Sequence, residues 1–193
     1  MKNSSLKIAL NMLAATLASD QQPKSEDVIK WYKTEILPLR TASPGSISRF
    51  FKGYSALFHK NTPDVNGVCG DVVSYLFREF EKKYPQFLSA YSGFNLGAIL
   101  KTGVPSFNHI ANVIYPYKLE KHLPITLLSE NKLLKDPVLK NNTDPELNES
   151  KIKDEIIVLD LFYKEDPQTL NQWIEKRGYN NEEFILGREY DFT

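Results

Sequence analysis

The run Ile156-Ile157-Val158-Leu159-Asp160-Leu161-Phe162 is apolar on both faces except at Asp160. Such a run reads as an interior strand, covered on both sides. It requires a sheet with neighbours, and it requires a partner for the carboxylate. An unpaired carboxylate in an apolar strand costs several kcal/mol, so a cation or a strong donor must come to Asp160 from elsewhere in the chain.

A second strand pattern begins at His109. His109, Ala111, Val113 and Tyr115 alternate with Ile110, Asn112 and Ile114, and Pro116 ends the run. If the strands of His109 and Asp160 pair antiparallel, an imidazolium is the obvious partner for the acid. The other histidines are weaker candidates. His59 follows an aromatic helical stripe, and His122 lies in a Pro-punctuated stretch where a solvated side chain is expected.

Upstream of His109 the texture is helical. Val73, Leu76, Phe77, Phe80 and Tyr84 recur at three and four residues after Cys69, and Pro85 closes the pattern. Asp71 suits the first turn, where the helix dipole favours an acid. Ser25 is placed to cap an earlier helix carrying Val28, Ile29, Trp31, Tyr32 and Ile36, ended by Pro38. Phe50, Phe51, Tyr54, Leu57 and Phe58 form another stripe, and Asn95–Leu100 reads as a short helix. A last helix is expected with Asp166 as cap, Pro167 at its first position, Leu170, Trp173 and Ile174 inward, and Gly178 as terminator. Residues 117–155, with Pro124, Pro137 and Pro145, read as a long insertion in which Ile125–Leu128 is a short apolar element.

Cys69 is the only cysteine, which excludes an intramolecular disulfide and Cys-rich metal sites. A structural cysteine would fall on the buried stripe with Val73 and Leu76. Cys69 instead sits at the helix mouth in the turn Gly67-Val68-Cys69-Gly70. A helix N-terminus lowers a thiol pKa, and its amides face any oxyanion formed beside the sulfur. The glycines let a substrate chain approach closely. A nucleophilic cysteine needs a base, and the base needs an orienting group. Cys69, His109 and Asp160 are therefore the candidate catalytic set, with the Cys69 amide, Gly70 and the Asn66 side chain as oxyanion or substrate contacts and Asn108 as a further helper.

Gly67-Val68-Cys69-Gly70-Asp71 opening a helix, then a histidine on a strand, then an aspartate in an Ile-Val-Leu run, resembles the transglutaminase-like branch of the papain-like superfamily. His109-Ile110-Ala111-Asn112-Val113 is also similar to a His-x-x-Asn-Val stretch of papain-fold bacterial toxins. The resemblance covers about residues 69–162. It implies an α+β fold: a nucleophile-bearing helix packed on an antiparallel sheet, in a core spanning 63–193 and preceded by an N-terminal helical segment, 1–62. It implies acyl transfer on a protein or peptide substrate, by a cysteine protease, a glutamine deamidase or a transglutaminase. Ala111 stands where the family often has an aromatic residue. Leu161 follows the acid where Pro or a small polar residue is common, and the His109-to-Asp160 interval exceeds one hairpin. An inactive interaction module on the same fold, and a small-molecule acyltransferase, are the alternatives.

Net charge is +0, so no field of one sign draws the chain to nucleic acid or an anionic membrane, and nucleic-acid binding is not expected. No run approaches a membrane span. No cofactor or metal is implied by the residues. Lys2 and Lys7 before Ile8–Ala18 fit a secretory signal, while Leu6, Leu10, Leu13 and Leu17 equally fit an amphipathic first helix. With a Lys- and Asn-rich composition, this gives the expectation of a secreted or translocated bacterial protein.

Overall fold

Six strands form one sheet in the order β3-β6-β1-β2-β4-β5, with every neighbouring pair antiparallel. The strands are β1 (Phe94–Thr102), β2 (His109–Pro116), β3 (Ile125–Leu128), β4 (Ile157–Leu159), β5 (Gln168–Thr169) and β6 (Glu183–Gly187). The helices are α1 (Ser25–Trp31), α2 (Cys69–Lys83), α3 (Ser89–Ser92), α4 (Glu149–Glu155) and α5 (Leu170–Arg177). These come from a computed structural model, which describes residues 22–41, 63–102, 108–129, 149–179 and 182–188. The expected stripe at 50–58 and the two readings of residues 1–18 lie outside the described residues. Among the described residues, no helix is long and apolar enough to cross a membrane.

Consecutive residues of the central strands divide between two apolar clusters, as alternation in a strand demands. Ala98, Ile114 and Leu159 join Val28, Trp31, Tyr32, Val72, Val73, Leu76 and Phe80 on one face. Ile99, Val113 and Val158 join Ile125, Leu127, Ile152, Leu170, Trp173 and Phe184 on the other. The chain is thus α+β, with α1 and α2 covering one face of the antiparallel sheet and α4 and α5 the other. Burial of each large side chain in these clusters is worth roughly 1.5–3 kcal/mol.

Helix α2 starts and stops where the sequence indicates. Its N-cap is Val68, whose N–H donates to Asp71 Oδ2 at 3.2 Å. That backward reach requires Gly67, because a Cβ there would stand 2.5 Å from the Asp71 side chain. Helix α1 takes in Ser25, the expected cap, as its first residue, and Lys24 stands at the cap position; Asp27 Oδ2 accepts from the Lys24 N–H at 2.9 Å. The chain then widens into a π-turn, Tyr32–Ile36, and tightens to a 3-10 turn, Leu37–Leu39. Pro38 lacks the N–H that would continue the α-helix.

Two further expectations are corrected. Asn95–Leu100 is strand, not helix: it is the heart of β1, hydrogen-bonded to β2 on one side and β6 on the other. Gly97 permits this, since a Cβ would lie 2.6 Å from both the Gly187 carbonyl oxygen and the Tyr115 ring. The last helix is capped by Thr169, not Asp166. Thr169 Oγ1 accepts from the Gln172 N–H at 3.2 Å, and the Thr169 N–H donates to Gln172 Oε1 at 2.9 Å. Pairing of β5 with β4 holds Gln168 and Thr169 extended and delays the helix to Leu170. Gly178 ends it in the left-handed region, φ 66°.

The described parts of the stretch 117–155, expected as an insertion, contribute to the body of the fold. Leu119, Ile125, Leu127 and Ile152 are core residues, and β3 is an edge strand of the sheet. Likewise α1 shares the core of α2, so residues 25–36 pack as part of the body rather than as a separate segment.

Candidate active site

Cys69 is the first residue of α2 and is partly exposed. The turn before it is clamped from the end of the N-terminal helical stretch. Arg40, fully buried, donates through Nη1 to the carbonyls of Val65 (2.6 Å) and Gly67 (3.1 Å). The Thr41 N–H and Oγ1 both donate to Asn66 Oδ1, at 3.1 and 3.3 Å. The Cys69 turn is thus set by long-range contacts as well as by its glycines.

His109 opens β2 and Asp160 directly follows β4. The two strands pair through Asn112↔Leu159, Val113↔Val158 and Ile114↔Ile157. The ladder stops short of His109, so the acid at the end of β4 turns toward the imidazole. His109 Nε2 and Asp160 Oδ2 are 3.0 Å apart, with side chains 7% and 1% exposed. The same ring is hydrogen-bonded to the Cys69 side chain.

The electrostatics follow from this chain of contacts. Burial alone would push the Cys69 thiol up. The hydrogen bond and charge of His109, with the backbone N–H groups of Ile110 and Gly70, outweigh it and hold the thiol below its ordinary value. Burial alone would lower His109; the Asp160 charge and hydrogen bond, with Cys69 adding to them, raise it to about 9. Both directions favour a thiolate beside an imidazolium.

Asp160 is satisfied by groups that sequence reasoning did not assign. The Trp173 indole Nε1–H donates to the same Oδ2 at 2.9 Å, and the Tyr163 N–H donates to Oδ1 at 3.3 Å. Trp173 was legible as core, and a buried indole N–H requires an acceptor, which is the signal that links it to Asp160. Aromatic rings enclose His109: Phe162, Tyr163 and Trp173 lie at centroid distances of 5.5, 4.9 and 5.9 Å. Arg177 stacks on Tyr163 at 3.5 Å, and Arg40 lies over Phe162 at 5.1 Å. Phe162-Tyr163, two residues beyond Asp160, was the available signal for this enclosure.

The expected accessory residues divide. Gly70 is at the sulfur, through its N–H. Asn66 accepts from Thr41 through its side-chain oxygen. Asn108 is exposed at the entrance of β2, and nothing brings it to the sulfur. His122 ends the 3-10 turn Tyr117–His122, and His59 lies outside the described residues. Among the described residues, no group of three or more His, Cys, Asp or Glu could hold a metal ion. A cavity of about 310 Å³ lined by Phe77, Phe80, Tyr84, Phe87 and Leu96 lies toward the opposite end of α2 from Cys69.

This arrangement can move a proton from sulfur to ring and hold the ring with a carboxylate. No protein-family model matches the chain, and no curated protein or solved structure is significantly similar to it.

Proposed function

We propose that this chain is a thiol-dependent acyl-transfer enzyme with a papain-like core, acting on protein or peptide substrates through Cys69, His109 and Asp160. The observation that carries the reading is the continuous hydrogen-bonded series of a helix-mouth sulfur, an imidazole and a buried carboxylate. These are the roles of nucleophile, general acid–base and orienter.

In the proposed reaction His109 holds the proton that Cys69 has given up. The thiolate attacks the carbonyl carbon, the new S–C bond forms, and the carbonyl π pair moves onto oxygen. Amides at the α2 N-terminus stabilise that oxyanion. As the tetrahedral centre collapses, His109 passes its proton to the departing nitrogen, the C–N bond breaks, and a thioester remains on Cys69. Asp160 keeps the ring oriented throughout. His109 then takes a proton from the incoming acceptor, which attacks the thioester and releases the thiolate. Water as acceptor gives peptide hydrolysis or glutamine deamidation, and an amine gives transamidation. The proposed setting is a secreted or translocated bacterial protein, from the charged-then-apolar order of residues 2–18.

The test is incubation with casein and a fluorescent primary amine, followed by mass spectrometry. Fragments, glutamine converted to glutamate, or incorporated amine support the reading when Cys69→Ala abolishes them. Products that persist in Cys69→Ala contradict it.

A further inference from the structure

Asn112 is the polar exception on the face of β2 that meets α2. Its neighbours on that face, Ile110 and Ile114, belong to the apolar cluster with Val72, Val73 and Leu76. Asn112 itself is 1% exposed. Its Nδ2 donates to the Val73 carbonyl at 3.2 Å, one turn into α2 from Cys69. Its Oδ1 is buried with no hydrogen-bond partner among the described residues.

The sheet does not need this side chain. Asn112 is in register with Ala98 of β1 and Leu159 of β4, so strand pairing engages its backbone on both sides. A leucine, of the same branched shape though larger, would fill the site without an orphaned amide oxygen, and replacements of buried polar groups by apolar ones of like shape are often neutral or stabilising. A buried amide kept at a cost calls for a reason outside stability.

The reason lies in what its two ends connect. One end is the strand that carries His109, three residues upstream. The other is the helix that carries Cys69, four residues upstream of Val73. Apolar side chains tolerate sliding of a helix along a strand, whereas a directional hydrogen bond fixes the height. The Cys69–His109 contact and the Ile110 N–H at the sulfur depend on that height, within roughly 0.5 Å for a preorganised site.

We propose that Asn112 is a positioning residue, whose amide sets α2 against β2 so that the sulfur of Cys69 meets the ring of His109. The assignment rests on the reading of Cys69 and His109 as the reacting pair. Asn112 touches no substrate and acts through the helix.

The test is the pH profile of iodoacetamide alkylation at Cys69, measured with the thermal midpoint, in wild type, Asn112→Leu, Asn112→Ser and His109→Ala. Asn112→Leu keeps the branched shape, with bulkier ends, and removes the donor; Asn112→Ser is too short to reach Val73. The expected result is an Asn112→Leu protein that melts at or above wild type, with its alkylation midpoint raised by about one pH unit and its rate below that midpoint reduced about tenfold. Asn112→Ser should show the same shift. His109→Ala should shift further.

If wild type and His109→Ala give one profile, the reacting pair fails and Asn112 has nothing to position. If those two differ while both Asn112 variants overlay wild type, the pair stands and the positioning role is overturned. Failure of both Asn112 variants to fold also overturns it, because the amide would then serve the fold.

Discussion

Trp173 Nε1 and His109 Nε2 converge on one oxygen of Asp160, at 2.9 and 3.0 Å. The shared acceptor makes the indole part of the machinery that fixes the imidazole. Helix α5, which supplies Trp173, starts only ten residues after Asp160, so the acid and its second donor are delivered by one short stretch of chain.

Trp173→Phe should keep the ring packing and lose the N–H. Removing one donor from a buried carboxylate is expected to cost about 1–3 kcal/mol of stability. The remaining oxygen geometry is freer, so kcat should fall severalfold with little change in KM. Thermal unfolding and steady-state kinetics on the same preparation check both.

Asp160→Asn retains size and removes charge. Since the Asp160 charge is the leading reason that the buried His109 holds its proton, the His109 midpoint should drop from about 9 toward or below its ordinary value. The Cys69 thiolate then loses its cationic neighbour, and alkylation near neutral pH should slow by roughly tenfold or more. Imidazole NMR titration and alkylation rates measure the two ends of the same coupling.

Stability should carry the sign of the His109 shift. In a Cys69→Ser background the imidazole is paired with Asp160 alone. A histidine that binds its proton more tightly folded than unfolded contributes stability that is fully present below the unfolded value, about 6.5. That contribution is lost as pH rises through the folded value, raised toward about 9 in the intact site. The difference in thermal midpoint between Cys69→Ser and Cys69→Ser/Asp160→Asn should therefore be largest at slightly acid pH and shrink through mildly alkaline pH. A difference that grows with pH would contradict the pairing.

Gly97→Ala tests the central strand. The added methyl would meet backbone oxygen of Gly187 and the Tyr115 ring at 2.6 Å, on a residue paired with Val113 of β2. A loss of about 1–3 kcal/mol is expected, read from denaturant midpoints, since backbone on one side cannot yield.

The elements most legible in the sequence were those with a local signature. The α2 stripe, the alternation from His109 and the apolar run before Asp160 each declared a period, and the structure has α2, β2 and β4 at those places. Asp160 also announced its need for a partner. What was not legible depends on neighbours distant in sequence. β1 is covered on both faces, so its apolar residues lose the alternation that marks a strand, and only Gly97 hinted at close backbone approach. The Asp166-Pro167 pair has the local chemistry of a helix start, but strand pairing of Gln168 and Thr169 overrides it. Arg40 and Asn112 act through carbonyls of Val65, Gly67 and Val73, and a backbone acceptor leaves no mark in side-chain chemistry.

The central claim is that the folded protein ionises the Cys69 sulfur more readily than the unfolded chain does. With one cysteine and ten tyrosines in the chain, the difference in ultraviolet absorbance between wild type and Cys69→Ser reports the thiolate free of tyrosinate. The predicted result is a titration midpoint in folded protein below that of the same protein in denaturant, and a midpoint above the denatured value in His109→Ala. A folded wild-type midpoint at or above the denatured value would contradict the account.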